Sequence, residues 1–360
     1  MLSKTLYDAA KMVTGMALLG LLSVVCGGDA RCQNPPSPAP NPKELHGGIE
    51  VALRSVRWIV LRVPTDANGD NVPKILSSDQ VNPSAPFPRD DKPTPEYIRD
   101  LAQTVKNLSD KLQREFRVPP NQIYLLGLSD LSGQIRDDLA RELQDKVGRE
   151  TMFLDVKGET ELNIAGNIPR QYQSEGKRYD NRSISLLLDI SATNVRGGYQ
   201  QLGLTSGGRA EYDYVTWDVP INGPLRAEAA QNPGLMMRKK VYLMGNIVWA
   251  LTALLYPQNQ GDYVPLTIED INSFYNRAML DPEALLNPPL YNIRDENARK
   301  EARKGREAIK AIYTPRTLAA GAEALKTAAT ELNLADKQLI FARNSNWARL
   351  VNFVRLQIEQ

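Results

Sequence analysis

Short apolar runs rich in Val, Ile and Leu alternate with longer amphipathic stretches from residue 48 onward. The apolar runs predict buried strands, and the amphipathic stretches predict helices that cover them. Thr94 and Pro95 suit the start of one helix, and Gly148 suits the end of another. In the first half, the predicted strands are 48–63 (two strands or one long bent strand), 121–130 and 151–156, and the predicted helices are 94–116 and 135–148. This order predicts a mixed α/β domain.

The second half repeats the plan with a different balance of elements. A meander of three strands is predicted at 183–191, in the stretch that begins at Asn194, and at 212–223. A strand, a Gly-Asn turn and an apolar helix follow at 238–257. Further helices are predicted at 266–279, 295–312 and 314–333, and the chain ends as strand, turn and helix over 337–360.

Composition removes several classes of function. The net charge of +2 gives no field that predicts a nucleic acid as a partner. A single histidine, His46, nearly excludes histidine triads and multi-histidine metal sites. The two cysteines, Cys26 and Cys32, lie near the N-terminus, so neither a disulfide framework nor a cysteine zinc site is expected in the body of the chain.

The first 30 residues have the layout of a secretory signal peptide: a lysine-bearing start, a short apolar run and small residues before a cleavage point after Ala30. We therefore expect an exported protein, periplasmic or extracellular. Two alternatives stay open, an uncleaved membrane anchor and a lipid on Cys26, and they are the expected routes to a membrane. The proline-rich segment 31–46 predicts an extended linker.

Two places in the chain share one plan. Each has an apolar strand, an acid (Glu50 or Asp189), a few small or polar residues and a second strand. A hairpin of this kind can handle phosphate, because small residues let backbone N–H groups approach phosphate oxygens. The acid can hold a metal ion or its water. Two such hairpins would face each other across a cleft.

The order of these pieces resembles the exopolyphosphatase/guanosine pentaphosphate phosphatase branch of the sugar-kinase/heat-shock-chaperone/actin superfamily. Residues 49–57 resemble its first phosphate loop and 186–194 its second. Residues 156–166 resemble its Gly-x-x-Glu-Ala segment, and 241–257 resemble the later Gly-Gly segment that opens a helix. The likeness runs in order over roughly 48–360.

The resemblance implies a fold of two ribonuclease-H-like (actin-like) α/β domains, with mixed sheets flanked by helices and a cleft between them. Domain I is expected at 47–172 and domain II at 173–345, with the C-terminal helix 346–360 packing back on domain I. The resemblance also implies a phosphorylated small molecule or polyphosphate as partner, and Mg²⁺ or another divalent cation as cofactor.

Site residues carry over position by position. Glu161 corresponds to the base that activates water, and Glu50 and Asp189 to metal ligands. The implied phosphate-binding residues are Arg54, Ser55, Ser191, Thr193, Asn194, Gly245 and Asn246.

Both phosphate loops depart from the family pattern. In the first, Ala52 and Leu53 replace a glycine and a hydroxyl residue, and in the second, Ser191-Ala192-Thr193 replaces a glycine run. Each added Cβ keeps a ligand away from the backbone. Three hypotheses therefore stay open: an exported phosphohydrolase acting on phosphoanhydrides, a catalytically inactive relative that binds a phosphorylated ligand, and an interaction or scaffold protein. The sequence leaves the oligomeric state open.

Overall fold

A computed structural model describes residues 44–63, 73–87, 92–131, 133–169, 171–174, 177–191, 193–204, 210–259, 261–343 and 345–359. The predicted signal peptide and the predicted linker up to residue 43 lie outside these residues. In the part of the chain that is described, no helix combines the length and the apolar character needed to cross a membrane.

The first sheet has five strands in the order β3-β2-β1-β4-β5. The first three strands are antiparallel to one another, and β4 and β5 add in parallel beside β1. The strands are β1 (Leu45–Val51), β2 (Val56–Arg62), β3 (Lys74–Val81), β4 (Ile123–Gly127) and β5 (Thr151–Phe153). Strand β1 thus begins two residues before the predicted start of domain I.

Each face of the first sheet is covered by different helices. On one face, α1 (Pro95–Glu115) and α2 (Gly133–Val147) build a core around Ile49, Trp58 and Leu125. On the other face, α12 (Ser345–Ile358) packs its Leu350, Phe353 and Val354 against Ile59, Leu61 and Leu126. The last helix of the chain therefore completes the first sheet.

The second sheet has six strands in the order β10-β9-β8-β11-β13-β12. Its first five positions repeat the plan of the first sheet: a three-stranded antiparallel meander with two parallel strands beside it. Strand β12 adds antiparallel to β13 at the edge. The strands are β8 (Ser185–Ile190), β9 (Asn194–Leu204), β10 (Ala210–Pro220), β11 (Lys240–Met244), β12 (Tyr263–Leu266) and β13 (Gln338–Ala342).

One face of the second sheet carries the large helical core of the chain. A separate hairpin, β6 (Gln171–Ser174) and β7 (Lys177–Asp180), precedes this sheet. The helices of this half are α4 (Asn181–Ile184), α5 (Leu225–Gln231), α6 (Pro233–Met237), α7 (Asn246–Leu255), α8 (Ile268–Leu280), α9 (Pro282–Leu286), α10 (Glu296–Ile312) and α11 (Pro315–Glu331).

Two central helices lie between the sheets. Helix α3 (Val156–Asn167) packs Ile164 against the second sheet, in a small cluster with Leu187 and Tyr242. It also crosses α12 closely, since a Cβ on Gly166 would lie 2.5 Å from a backbone oxygen of that helix. Helices α3 and α12 therefore form the contact between the two halves.

The predicted fold class is confirmed: two mixed α/β sheets with flanking helices and a cleft between them. The cap predicted at Thr94 is confirmed, because its side chain accepts the Tyr97 N–H. Residues 156–166, for which the sequence pattern assigned no helix or strand of their own, are helical. Asp155 caps Gly158, and the segment forms helix α3.

Candidate functional site

Two adjoining cavities open where the ends of β1 and β8 face each other. The larger has a volume of about 340 Å³ and the smaller about 220 Å³. Glu159, Asp189 and Ser191 line both cavities. The hairpins predicted from the sequence thus meet at one place.

The first hairpin directs few of its predicted residues toward this place. The Arg54 guanidinium stacks on the Phe87 ring, 4.3 Å from its centre, and Arg54 lines neither cavity. Ser55 closes the turn through its carbonyl, which accepts the Ala52 N–H at 2.9 Å, and it also lines neither cavity. Neither residue contacts the cleft, so the structure offers no contact that would support its predicted role in phosphate binding.

Glu50, at the end of β1, is buried and held by two arginines. Arg349 from α12 donates from Nε to Oε2 at 2.8 Å and from Nη2 to Oε1 at 3.0 Å. Arg57 from β2 donates to Oε1 at 3.1 Å. Burial alone would raise the pKa of Glu50, but the charges and hydrogen bonds of Arg349 and Arg57 together outweigh it, so the pKa lies below its ordinary value.

The acid of α3 that faces the cleft is Glu159. Its Oε1 accepts from Nη1 of Arg349 at 2.6 Å, and its Oε2 accepts the Ser129 hydroxyl at 2.6 Å. The Ser129 N–H lies 3.2 Å and Nη1 of Arg196 3.5 Å from the same Oε2. Arg349 therefore ties β1 to α3. Burial lowers the pKa of Arg349, but the carboxylates of Glu50 and Glu159 outweigh that effect and hold the pKa above its ordinary value.

Glu161 lies elsewhere on the same helix. Two residues along an α-helix correspond to a rotation of about 200°, so Glu161 faces away from Glu159. It pairs with Lys157 at 3.8 Å and lines neither cavity. Partial burial raises the pKa of Glu161, and Lys157 opposes that shift. The predicted base is thus at the helix surface, and Glu159 occupies the cleft.

In the second hairpin, backbone N–H groups donate hydrogen bonds to a side chain of the same hairpin. The Ser191 hydroxyl accepts the N–H groups of Thr193 at 3.3 Å and Asn194 at 2.9 Å. The Asn194 side chain donates to Asp218 at 2.8 Å. All three predicted residues line the smaller cavity. The N–H groups that a glycine loop would offer to phosphate are here bonded to a serine.

Asp189 ends β8 and lines both cavities. Among the described residues its carboxylate has no hydrogen bond or ion pair within bonding distance. Burial raises its pKa, the charge of Glu159 raises it further, and Arg349, Arg196 and Arg57 oppose the shift. A carboxylate of this kind is costly in its charged form and can bind a proton, a metal ion or a hydrogen-bond donor.

Helix α7 begins beside Asp189. Gly245 precedes it with φ +107°, and a Cβ there would lie 2.3 Å from the Ile190 carbonyl oxygen, so the position requires glycine. No side chain caps the helix, and Gly245 and Asn246 both line the larger cavity. The unpaired N–H groups of the first turn therefore present partial positive charge at the cavity.

The residues present do not fit a divalent cation held by Glu50. Its carboxylate oxygens already accept three hydrogen bonds from two guanidinium groups, which a cation would have to displace. In the described part of the chain, no group of three His, Cys, Asp or Glu side chains is arranged to hold a metal ion. Of the two predicted ligands, Asp189 is the one whose carboxylate oxygens have no hydrogen-bond partner among the described residues.

Sequence reasoning missed Glu159, Arg349, Arg57 and Arg196. For Glu159, the available signal was helical spacing: Glu159 and Asn163 are four residues apart and so lie on one face of a helix. In the structure both side chains are buried. For Arg349, the signal was a charged residue directly beside the apolar Leu350 in the last predicted helix.

Comparisons with known proteins agree on the fold. No protein-family model matches the chain, and the search of curated proteins found no match. A Ppx/GppA family member from Aquifex aeolicus is similar in structure, with a TM-score of 0.52 and 14% identity over 88% of this chain and 98% of that one. An exopolyphosphatase from Cytophaga hutchinsonii gives a TM-score of 0.53 at 12% identity, over 86% and 98% of the two chains.

A third structure, described as an exopolyphosphatase-like protein, gives a TM-score of 0.54 at 12% identity, over 87% of this chain and 98% of that one. Sequence identities this low are evidence for a shared fold only. The chain therefore has the actin-like fold of the Ppx/GppA structures, and the resemblance inferred from its sequence is confirmed at the level of that fold.

Proposed function

We propose that this protein binds a phosphorylated anion, a small molecule or a polyphosphate, in the cleft between its two sheets, and that it does not hydrolyse the ligand. One observation carries the proposal. Arg349 pairs with both Glu50, at the end of β1, and Glu159, which lines the cleft from α3. A general base must reach a water and be free to take its proton. Glu159 is engaged by Arg349, Ser129 and Arg196.

Features that suit an anion remain. The first turn of α7 has no side-chain cap and borders the larger cavity, and Arg57 lines the same cavity with its side chain 18% exposed. Asp189 opposes a fully charged ligand unless it is protonated, and its raised pKa makes protonation easier. A protonated carboxyl donates a hydrogen bond to a phosphate oxygen.

The test is calorimetric titration of the full chain with inorganic tripolyphosphate. We expect binding that strengthens in Asp189→Asn, because a neutral amide donor replaces an opposing charge. Glu301→Gln on the exposed face of α10 is the matched control and should bind like the wild type. Absence of heat at every pH tried, with no thermal stabilisation by the anion, would contradict the proposal.

Phosphoanhydride hydrolysis is the second candidate, and the unpaired Asp189 favours it. In that case Asp189 would place a divalent cation, and either Glu161 or Glu159 would act on the attacking water. The discriminating measurement is phosphate release from polyphosphate and nucleoside triphosphates, with Mg²⁺ and with chelator. Release that disappears in Glu161→Gln supports the assignment made from the sequence, and release that disappears only in Glu159→Gln moves the base to the cleft.

A further inference from the structure

The guanidinium group of Arg349 lies between two carboxylates that come from distant parts of the chain. It makes two hydrogen bonds to Glu50, at 2.8 and 3.0 Å, and one to Glu159 at 2.6 Å. All three side chains are buried, and Arg349 has a relative exposure of 5%. A fixed positive charge thus bridges two acids at the base of the larger cavity.

This bridging position is the one at which the sequence predicts a divalent cation on Glu50. A metal ion there would need the carboxylate oxygens that Arg349 and Arg57 now occupy, and it would meet both of their positive charges. Planar guanidinium groups bind carboxylates in two directions at once and stay charged under all ordinary conditions. The arrangement is therefore permanent at any pH at which the protein is folded and the acids are ionised.

We propose that Arg349 is a built-in counter-cation, which replaces a divalent metal on the first-sheet side of the cleft and makes ligand binding there independent of metal. The inference rests on the proposed function, since it concerns how the same cleft balances its charge. Arg349 acts here as a positioning residue: it fixes and neutralises Glu50 and Glu159, while Arg57 and the first turn of α7 line the cavity that would take the ligand.

The first experiment titrates the full chain with inorganic tripolyphosphate in excess EDTA and again in excess Mg²⁺. We expect the two affinities to agree within about twofold. Binding that requires Mg²⁺ overturns the inference and leaves the proposed function standing. No binding in either condition contradicts the proposed function, and the second experiment then decides the inference by itself.

The second experiment measures Mn²⁺ binding without any phosphate, by electron paramagnetic resonance and by thermal stabilisation. The wild type is expected to leave Mn²⁺ free. Arg349→Met frees the carboxylates of Glu50 and Glu159, which Arg349 bridges in the wild type, so it should gain Mn²⁺ binding, and the double variant Glu50→Gln/Arg349→Met should lose that gain. Mn²⁺ binding by the wild type that disappears in Glu50→Gln would overturn the inference, as would an Arg349→Met protein that folds and gains no site.

A second variant covers the case in which Arg349→Met does not fold. If Arg349→Met does not fold, Arg349→Lys keeps the charge while giving up the two-directional contact. We expect Arg349→Lys to resemble the wild type in both experiments, with tripolyphosphate binding that chelator does not change. A lysine variant that binds Mn²⁺ through Glu50 while its fold is intact, as judged by circular dichroism, would contradict a role for the built-in charge.

Discussion

Removal of the Arg349 guanidinium group should destabilise the protein strongly, and the loss of stability should depend on pH. Arg349→Met keeps the length and the apolar stem of the side chain and deletes the guanidinium group. Glu50, with a relative exposure of 1%, then keeps only its contact with Arg57 at 3.1 Å. Glu159 keeps Ser129 and the longer contact with Arg196.

The size of the stability loss follows from the two carboxylates that lose their arginine partner. Breaking a buried ion pair by removing one partner costs about 3–5 kcal/mol, because an uncompensated charge remains in the interior. Since each acid here keeps at least one other partner, we expect a loss near the lower end, about 3 kcal/mol. With an unfolding entropy of about 2 cal/mol/K per residue, this corresponds to a fall in Tm of about 5 °C for a unit of this length.

The assay is urea unfolding of the full chain followed by far-ultraviolet circular dichroism, at neutral pH and at acid pH. Arg355→Met is the matched control on the same helix. Its side chain is 44% exposed and pairs with Glu359 at 3.4 Å, so its loss should change stability by no more than about 0.5 kcal/mol.

The pH dependence follows from the lowered pKa of Glu50. A carboxyl whose folded pKa is depressed contributes stability above its unfolded pKa and loses it as the pH falls through the folded pKa. The difference between the wild type and Arg349→Met should therefore be widest near neutral pH and should narrow in acid. A loss of less than about 1 kcal/mol at neutral pH, or a difference that widens in acid, would refute the reasoning.

Three further outcomes are expected from urea unfolding of single variants. Asp189→Asn should raise stability at neutral pH by about 0.5–2 kcal/mol, and the gain should shrink as the pH falls through the raised pKa of Asp189, since the wild type then binds a proton. An unchanged gain in acid would speak against an ionised Asp189 as its source. Gly245→Ala should cost about 1–3 kcal/mol because of its positive φ, whereas Gly305→Ala, in an open helix interior, should gain up to about 1 kcal/mol. Equal effects at the two glycines would be inconsistent with backbone strain at the first. Gly166→Ala should cost about 1–3 kcal/mol, because its Cβ would press on the backbone of α12, and a neutral result would mean that the two central helices separate easily.

Much of the fold was accessible from local patterns. The alternation of apolar runs and amphipathic stretches identified strands β1, β4 and β8 and helices α1, α2 and α11, since each buries one face or both. The two hairpins with an acid at the end of an apolar strand also led to the right place, because Ala52 and Arg57 of the first hairpin and Asp189 of the second line the same cavity.

The partners of the buried acids could not be predicted from local sequence patterns. Glu50 and Arg349 are 299 residues apart in sequence, and only the completed topology brings them together. Glu161 was assigned from its match to the Gly-x-x-Glu-Ala segment alone. In helix α3 the side chains of Glu159 and Glu161 point to opposite sides, and a motif match does not carry that orientation.

The packing of α12 on the first sheet has a consequence for how the protein is made. Strands β1, β2 and β4 are synthesised before the second half of the chain, yet one of their faces is covered by Leu350, Phe353 and Val354, which follow that half. The second half can bury its own core before that. The first sheet therefore keeps an open apolar face until α12 has been synthesised, and a chain that stops before α12 would expose that face to chaperones and proteases.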